Sequence, residues 1–352
     1  RRSSDLYDIF MEKVAQPFVK WLGGKRQLLK HILPLVPSGD KIPRYYEPFA
    51  GGAALFFALS SRNLFESAHL NDLNSELIAA FRTIQGDVDS LIDGLKAMPV
   101  DKGLYDRLRL EVGQTDLERA KRLLYLTRLS FNGLYRVNSK GQFNATWGAY
   151  TNPRIVDEGN LRAVSKALVG VTLTSLDFEE AVSPASRGDF VYLDPPYVPL
   201  NPTSSFTSYT SDGFGIREHE RLARTFFDLK ARGANVLLSN SDTPFVRSLY
   251  RGANFTEVQA RRSVNSKGNL RGPVGELLIS PNGTHLVNSL THAVNTLEAL
   301  YQGEPWFHGV RGESGQVTIF VTKKNASLKT LVNHGWMGIP VQVVQVATEG
   351  GQ

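Results

Sequence analysis

A chain of 352 residues, 41% hydrophobic and 21% charged, has room for one large domain with an appendage or for two to three smaller ones, and its composition is that of an ordinary globular protein. No apolar run reaches about 18 residues, so no membrane span is indicated, and zero cysteines exclude disulfides, thiolate metal sites and a cysteine nucleophile. The formal net charge of +6 admits an anionic partner without demanding one. Residues 1–16 lack the apolar core of a signal peptide, and Met11 is a candidate internal start.

The stretch "FVKWLGGKRQLLKHILPLV" reads as a Gly-Gly turn followed by a helix, with Leu28, Leu29, Ile32 and Leu33 at helical spacing. "YYEPFAGGAALFFAL" reads as strand, glycine turn and helix. "SAHLNDLNSELIAAF" reads as a second strand ending in polar residues, with a helix starting near Asn74. This alternation predicts a doubly wound α/β sheet. From about 83 to 165 the character turns helical and charged, closing in the Gly- and Asn-rich loop "SFNGLYRVNSKGQFNATWGAYTNP". The α/β pattern then resumes with "GVTLTSLDF", "GDFVYLDPPY", "GANVLLSNSD", "FTEVQARRSV" and a final strand in "RGPVGELLIS". Residues 17–82 and 166–280 therefore read as one sheet domain, interrupted by an insertion over 83–165. Beyond it, a short helix is expected around 287–301. "QVTIFVTKK" and "PVQVVQVAT" alternate like strands on either side of the helix-like "ASLKTLVNHGW", giving a small βαβ-like module over 285–352 with no assigned role.

In an open α/β sheet, ligands sit beyond the carboxyl ends of the strands. "EPFAGGAAL" fits that place, with Glu47 ending a strand and Gly51 in the turn, though it is neither GxGxxG nor a triphosphate loop. Asp72 ends the next strand, where an acid commonly holds ribose hydroxyls; the competing reading is a helix N-cap, for which Asn74 serves as well. Asp194, Pro195, Pro196 and Tyr197 end the buried run "FVYL". Neither proline offers an N–H, so the carbonyls there stay open as acceptors. A carboxylate beside such a carbonyl suits a group with two N–H donors, an exocyclic amine, and Tyr197 offers a face for the ring that bears it. From Arg119 to Arg154 run seven Lys or Arg and no Asp or Glu, interleaved with aromatics, a mixture suited to phosphates and unstacked bases or simply a solvated basic face over core rings.

In their order along 17–280, "FVKWLGGKRQL", "EPFAGGAALF", "NDLNSEL", "FNGLYRVNSKGQFN", "LDPPY", "FTSYTSDGF", "VLLSNS" and "RGPVGELLI" resemble the DNA adenine-N6 methyltransferases that act on GATC. The resemblance implies a mixed seven-stranded Rossmann-like sheet, S-adenosylmethionine as methyl donor with no metal, and a target-recognition insertion. It implies a double-stranded DNA partner, no membrane, a monomer or weak dimer, and a cytoplasmic, prokaryotic or phage-encoded protein. By matching motif positions, Trp21, Lys25, Glu47, Pro48, Phe49 and Gly51 would line the cofactor site, and Asp72 would take the ribose. Asp177 and Phe178 would bind and stack on the cofactor adenine. Asp194, Pro195, Pro196 and Tyr197 would hold the flipped base. Lys20 would contact a guanine, Arg128 a phosphate, Phe131 and Asn132 the opened stack, and Leu134 and Arg136 base edges, with Tyr150 near the DNA. Thr146 and Ala149 depart from the family pattern of Pro and Arg and bear on the GATC assignment. A cytosine-N4 methyltransferase and a non-catalytic DNA-binding relative are the alternatives; an NAD enzyme lacks its glycine fingerprint.

Overall fold

A computed structural model describes residues 14–21, 23–138, 141–198, 214–261 and 273–281, with 294, 297, 307–313, 316–321 and 341–345 from the C-terminal part. The chain divides into two compact units, Arg1–Asp194 with Gly233–Asn235, and Pro195–Arg232 with Val236–Gln352.

In the first unit, a short turn of helix, α1 (Leu29–Ile32), precedes strand β1 (Ile42–Glu47). The chain continues through α2 (Ala54–Ser60), β2 (Phe65–Asn71), α3 (Ser75–Gly86), α4 (Val88–Lys96), α5 (Lys102–Leu108), α6 (Asp116–Leu129) and α7 (Glu158–Ala167) to β3 (Thr172–Thr174), α8 (Phe178–Val182) and β4 (Phe190–Leu193). Strands β1, β2, β3 and β4 are parallel, with Glu47 level with Leu70 and Tyr46 with Val191. All four residues of β4 are buried, the burial expected of a parallel strand covered on both faces. Local chemistry sets the helix starts. Asn74 caps α3 by accepting from Leu77 N, and α3 then buries Leu77, Ile78, Phe81 and Ile84 along one stripe. Thr115 and Glu118 form a reciprocal capping box at the start of α6.

The second unit holds α9 (Ile216–Ala231), most of β5 (Asn235–Ser241), α10 (Pro244–Leu249), β6 (Asn254–Arg261) and β7 (Pro273–Ser280). Strand β7 runs antiparallel to both β5 and β6. The sheet order is β3-β2-β1-β4-β5-β7-β6, a mixed seven-stranded α/β sheet of the Rossmann-like kind. A separate three-stranded sheet joins β8 (Phe307–Glu313), β9 (Gln316–Val321) and β10 (Val341–Gln345), with β9 and β10 parallel and β8 antiparallel to β9. Strand β8, with its glycine-broken "FHGVRGE", is an addition to the two strands that alternation reveals. Of the helix expected over 287–301 only Val294 and Leu297 are described, both helical, and the helix expected in "ASLKTLVNHGW" lies outside the described residues, as does "FTSYTSDG".

Candidate active site and DNA-facing hairpin

Because β1, β2 and β4 are parallel, their C-terminal acids share one edge: Glu47 closes β1, Asp72 follows β2 and Asp194 follows β4. Lys25 reaches this edge from the Gly-Gly turn. Its Nζ lies 2.8 Å from Asp194 Oδ1 and donates to the Gly23 carbonyl at 2.6 Å. Their side chains are 9% and 16% exposed, so the ion pair is shielded from water. Glu47 is buried and accepts from the Tyr45 hydroxyl at 2.8 Å. Burial, reinforced by the Asp194 charge and opposed by Tyr45 and Lys25, pushes its carboxyl up from 4.5 to about 8. Glu47 therefore carries a proton at neutral pH.

Asp72 is not the cap of α3; Asn74 is. Asp72 instead ties down the glycine turn, Oδ2 accepting from Gly51 N and Oδ1 from Asn74 N, each at 2.9 Å. Burial raises its carboxyl above the ordinary value against those two N–H groups. Gly51 has φ +48, and a Cβ there would stand 2.8 Å from Trp21 Cδ1, so the indole lies directly over the turn. Pro48 is buried, Phe49 half-buried, and the Phe49 and Phe178 rings lie 5.4 Å apart. Asp177 is exposed and caps α8 through Glu179 N. A residue that spacing did not single out joins these segments. Buried Asn71 donates to the Pro48 and Leu176 carbonyls and accepts from Leu176 N and the Thr174 hydroxyl. Its signal was a polar residue inside the strand that ends "NDLN".

Helix α6 delivers the hairpin. Ser130 bridges Trp147, and Val137 bridges Phe143. At the bend Phe131 is 57% exposed, while Asn132 and Gly133 take left-handed φ of 58° and 68°. Phe131 N donates to the Thr146 carbonyl, Ala149 has φ 49°, and the Tyr150 hydroxyl donates to Ser130 O. Leu134 is half-buried. Arg136 is exposed, its guanidinium donating to the Asn144 side chain at 2.7 Å and carbonyl at 2.9 Å. Lys20 is exposed and its Cδ lies 3.2 Å from where a Gly133 Cβ would be. Arg128 Nη2 donates to Phe18 O at 3.0 Å. The run of cations is not one basic face. Arg122 is buried, with Nη1 donating to both Glu76 carboxylate oxygens, and Arg119 donates to Gly113 O. Lys140 lies outside the described residues.

In the second unit, the Tyr197 hydroxyl donates to Glu276 Oε2 at 3.0 Å. Val198 N donates to Asn240 Oδ1 at 3.1 Å and its carbonyl accepts from the Ser241 hydroxyl. Pro195 is buried and Pro196 exposed. Glu276, level with Ser241 across β7 and β5, was legible only as an acid inside the apolar "VGELLI".

The family model for D12 class N6 adenine-specific DNA methyltransferases matches residues 21–264. The chain belongs to this family. Among its relatives, the type II methyltransferase M1.LlaDCHI of Lactococcus lactis subsp. cremoris is 42% identical over 76% of this chain and 96% of its own length. The type II methyltransferase M.MjaIII of Methanocaldococcus jannaschii is 39% identical over 75% of this chain and 98% of its own. A DNA adenine methylase of Haemophilus influenzae is 34% identical over 75% and 92%. As an adenine-specific DNA methyltransferase, the chain is an enzyme, and the choice between adenine N6 and cytosine N4 falls to adenine. The span matched to the D12 methyltransferases holds the Lys25–Asp194 pair, the Gly51 turn and the whole hairpin; Lys20 lies one residue before it and β7 beyond it. Among the described residues, no helix is long and apolar enough to cross a membrane, and no three His, Asp or Glu side chains cluster as metal ligands.

Proposed function

We propose that this enzyme methylates adenine N6 within GATC sites of duplex DNA, using S-adenosylmethionine. The observation that carries the reading is the shielded Lys25–Asp194 pair at the carboxyl edge of the sheet, beside the Gly51 turn and Asp72. The turn suits a nucleoside-bearing cofactor. Gly51 has no Cβ to occupy the cradle under Trp21, and each Asp72 oxygen accepts one N–H and keeps a lone pair for a ribose hydroxyl. Trp21, Pro48, Phe49, Asp177 and Phe178 would complete that site. When bound, the cofactor supplies a methyl group already activated on a sulfonium.

Adenine N6 is a weak nucleophile because its lone pair is delocalised into the ring. Asp194, oriented by Lys25, accepts one N6–H, and the Pro195 carbonyl accepts the other. The two bonds draw the nitrogen toward tetrahedral geometry and localise its lone pair. N6 becomes acidic only as it is methylated, so Asp194 takes the proton late and need not be a strong base beforehand. Tyr197, pinned by Glu276, stacks on the extruded base. We assign residues 83–165 to target recognition. Exposed Phe131 and Asn132 would fill the opened stack, with Leu134 and Arg136 reading base edges, Lys20 on a guanine, Arg128 on phosphate and Tyr150 nearby. Pro196 shapes the turn of the clamp. The relatives named type II methyltransferases support work in a restriction–modification pair, in which the mark shields the site from a nuclease.

The test is transfer of labelled methyl from S-adenosylmethionine to duplex DNA. Asp194→Ala is expected to lower the rate by on the order of a hundredfold or more while DNA binding persists. An intact protein that transfers no label to DNA sinks the reading. Label on adenine outside GATC, mapped by methylation-sensitive cleavage, sinks the site assignment alone.

A further inference from the structure

A chain of contacts in the first unit joins the glycine turn to the DNA-facing hairpin. Asp72 accepts from Gly51 N, and Trp21 lies over Gly51 so closely that a Cβ there would stand 2.8 Å from its Cδ1. Trp21 stacks on Tyr135, ring centroids 4.7 Å apart and planes 24° from parallel. Burial raises the Tyr135 hydroxyl above its ordinary value, with the Asn74 side chain and the Glu76 charge as its polar neighbours. Asn74 N in turn donates to Asp72. Glu76 is itself locked by Arg122 of α6, the helix that leads into the hairpin. Tyr135 stands between Leu134 and Arg136 in the chain, and its ring also meets Phe143 edge-on, centroids 5.7 Å apart.

We infer that Tyr135 is a positioning residue that couples cofactor occupancy to the register of the DNA-facing hairpin. The inference rests on the cofactor reading of the Gly51 turn. A ligand in that turn packs against Trp21, whose indole lies over Gly51. A restricted Trp21 holds the Tyr135 ring, and the ring fixes the backbone that presents Leu134 and Arg136. Order supplied by one ligand is order the other need not supply, so the two bind cooperatively, and the effect is reciprocal. The ring stack is of a size that gives coupling of about three- to tenfold.

The test measures the affinity of S-adenosylhomocysteine, which binds without turnover, alone and with a GATC duplex, with a scrambled duplex as control. The intact protein is expected to bind it about three- to tenfold more tightly with the GATC duplex. Tyr135→Leu is expected to bring that ratio to near one, while single-turnover methylation with both ligands saturating stays within about threefold of wild type. Tyr135→Phe keeps the ring, loses the hydroxyl beside Asn74 and Glu76, and is expected to fall between, which also covers the case that the Leu variant does not fold. A purely structural role would weaken both affinities and leave the ratio alone. A Tyr135→Leu ratio equal to wild type, or a wild-type ratio of one, overturns the inference and leaves the cofactor reading standing. An intact protein that binds no S-adenosylhomocysteine in any state overturns both.

Discussion

Glu47 keeps its proton at neutral pH because burial penalises its charge and Asp194 already supplies a negative one nearby. The unfolded chain gives up that proton near 4.5, the folded chain near 8. Across that window the folded state binds more protons, so the stability of the cofactor-free protein is expected to fall as pH rises, by a few kcal/mol in order of magnitude, and to level off above it. Glu47→Gln should flatten this decline, as read by urea unfolding at several pH values; a variant as pH-sensitive as wild type would contradict the assignment. Lys25 makes the complementary case. Lys25→Met removes the cation facing the shielded Asp194 carboxylate, with an expected cost of about 3 kcal/mol in the same assay and a large fall in methyl transfer. The acids at the strand ends were legible in the sequence, because strand, turn and acid are neighbours in the chain. The protonation of Glu47 was not, since it depends first on burial and then on the Asp194 charge, both of which act on it only in the folded chain.

Among the elements, α6 shows how a charge-rich segment divides its labour. Its sequence "DLERAKRLLYLTRL" announced a helix, and the capping box fixes where it starts. Which of its cations face solvent was not readable, because Arg122 is drawn inward by Glu76 on α3, 46 residues away. Arg122→Leu is therefore expected to destabilise the fold by about 3 kcal/mol, by removing the cation that faces half-buried Glu76 and the donors to the Leu108 and Arg109 carbonyls, and to leave the salt dependence of DNA binding unchanged. Arg128→Gln should leave stability nearly intact and reduce the slope of log K against log salt by about one. Exchanged outcomes in unfolding and salt titrations would reverse the two roles. The hairpin likewise resisted reading: its aromatics were visible, but the Trp21–Tyr135 stack spans more than a hundred residues of sequence.

Across the whole molecule, the sheet was legible wherever strand and helix alternate, and less so where the topology departs from that rhythm. The pairing of β7 with both β5 and β6 follows from no local pattern, and the glycine-broken β8 hid its strand. A net charge of +6 suits an anionic partner of any sequence, and on the proposed reading the exposed Arg136 supplies the discrimination. Arg136→Lys is expected to cost about 1–3 kcal/mol in preference for GATC over a one-base variant, with non-specific binding and its salt slope nearly constant. Competition binding with the two duplexes reads this directly. The late arrival of β7 also has a bearing on synthesis. Glu276, which accepts from the Tyr197 hydroxyl, lies in β7, the last strand of the seven-stranded sheet in chain order, so a ribosome must release the chain through residue 280 before that pin exists. On the proposed reading, a product that ends before β7 would lack the contact that holds Tyr197 for the extruded base. The order of translation would then confine methylation to chains that carry β7.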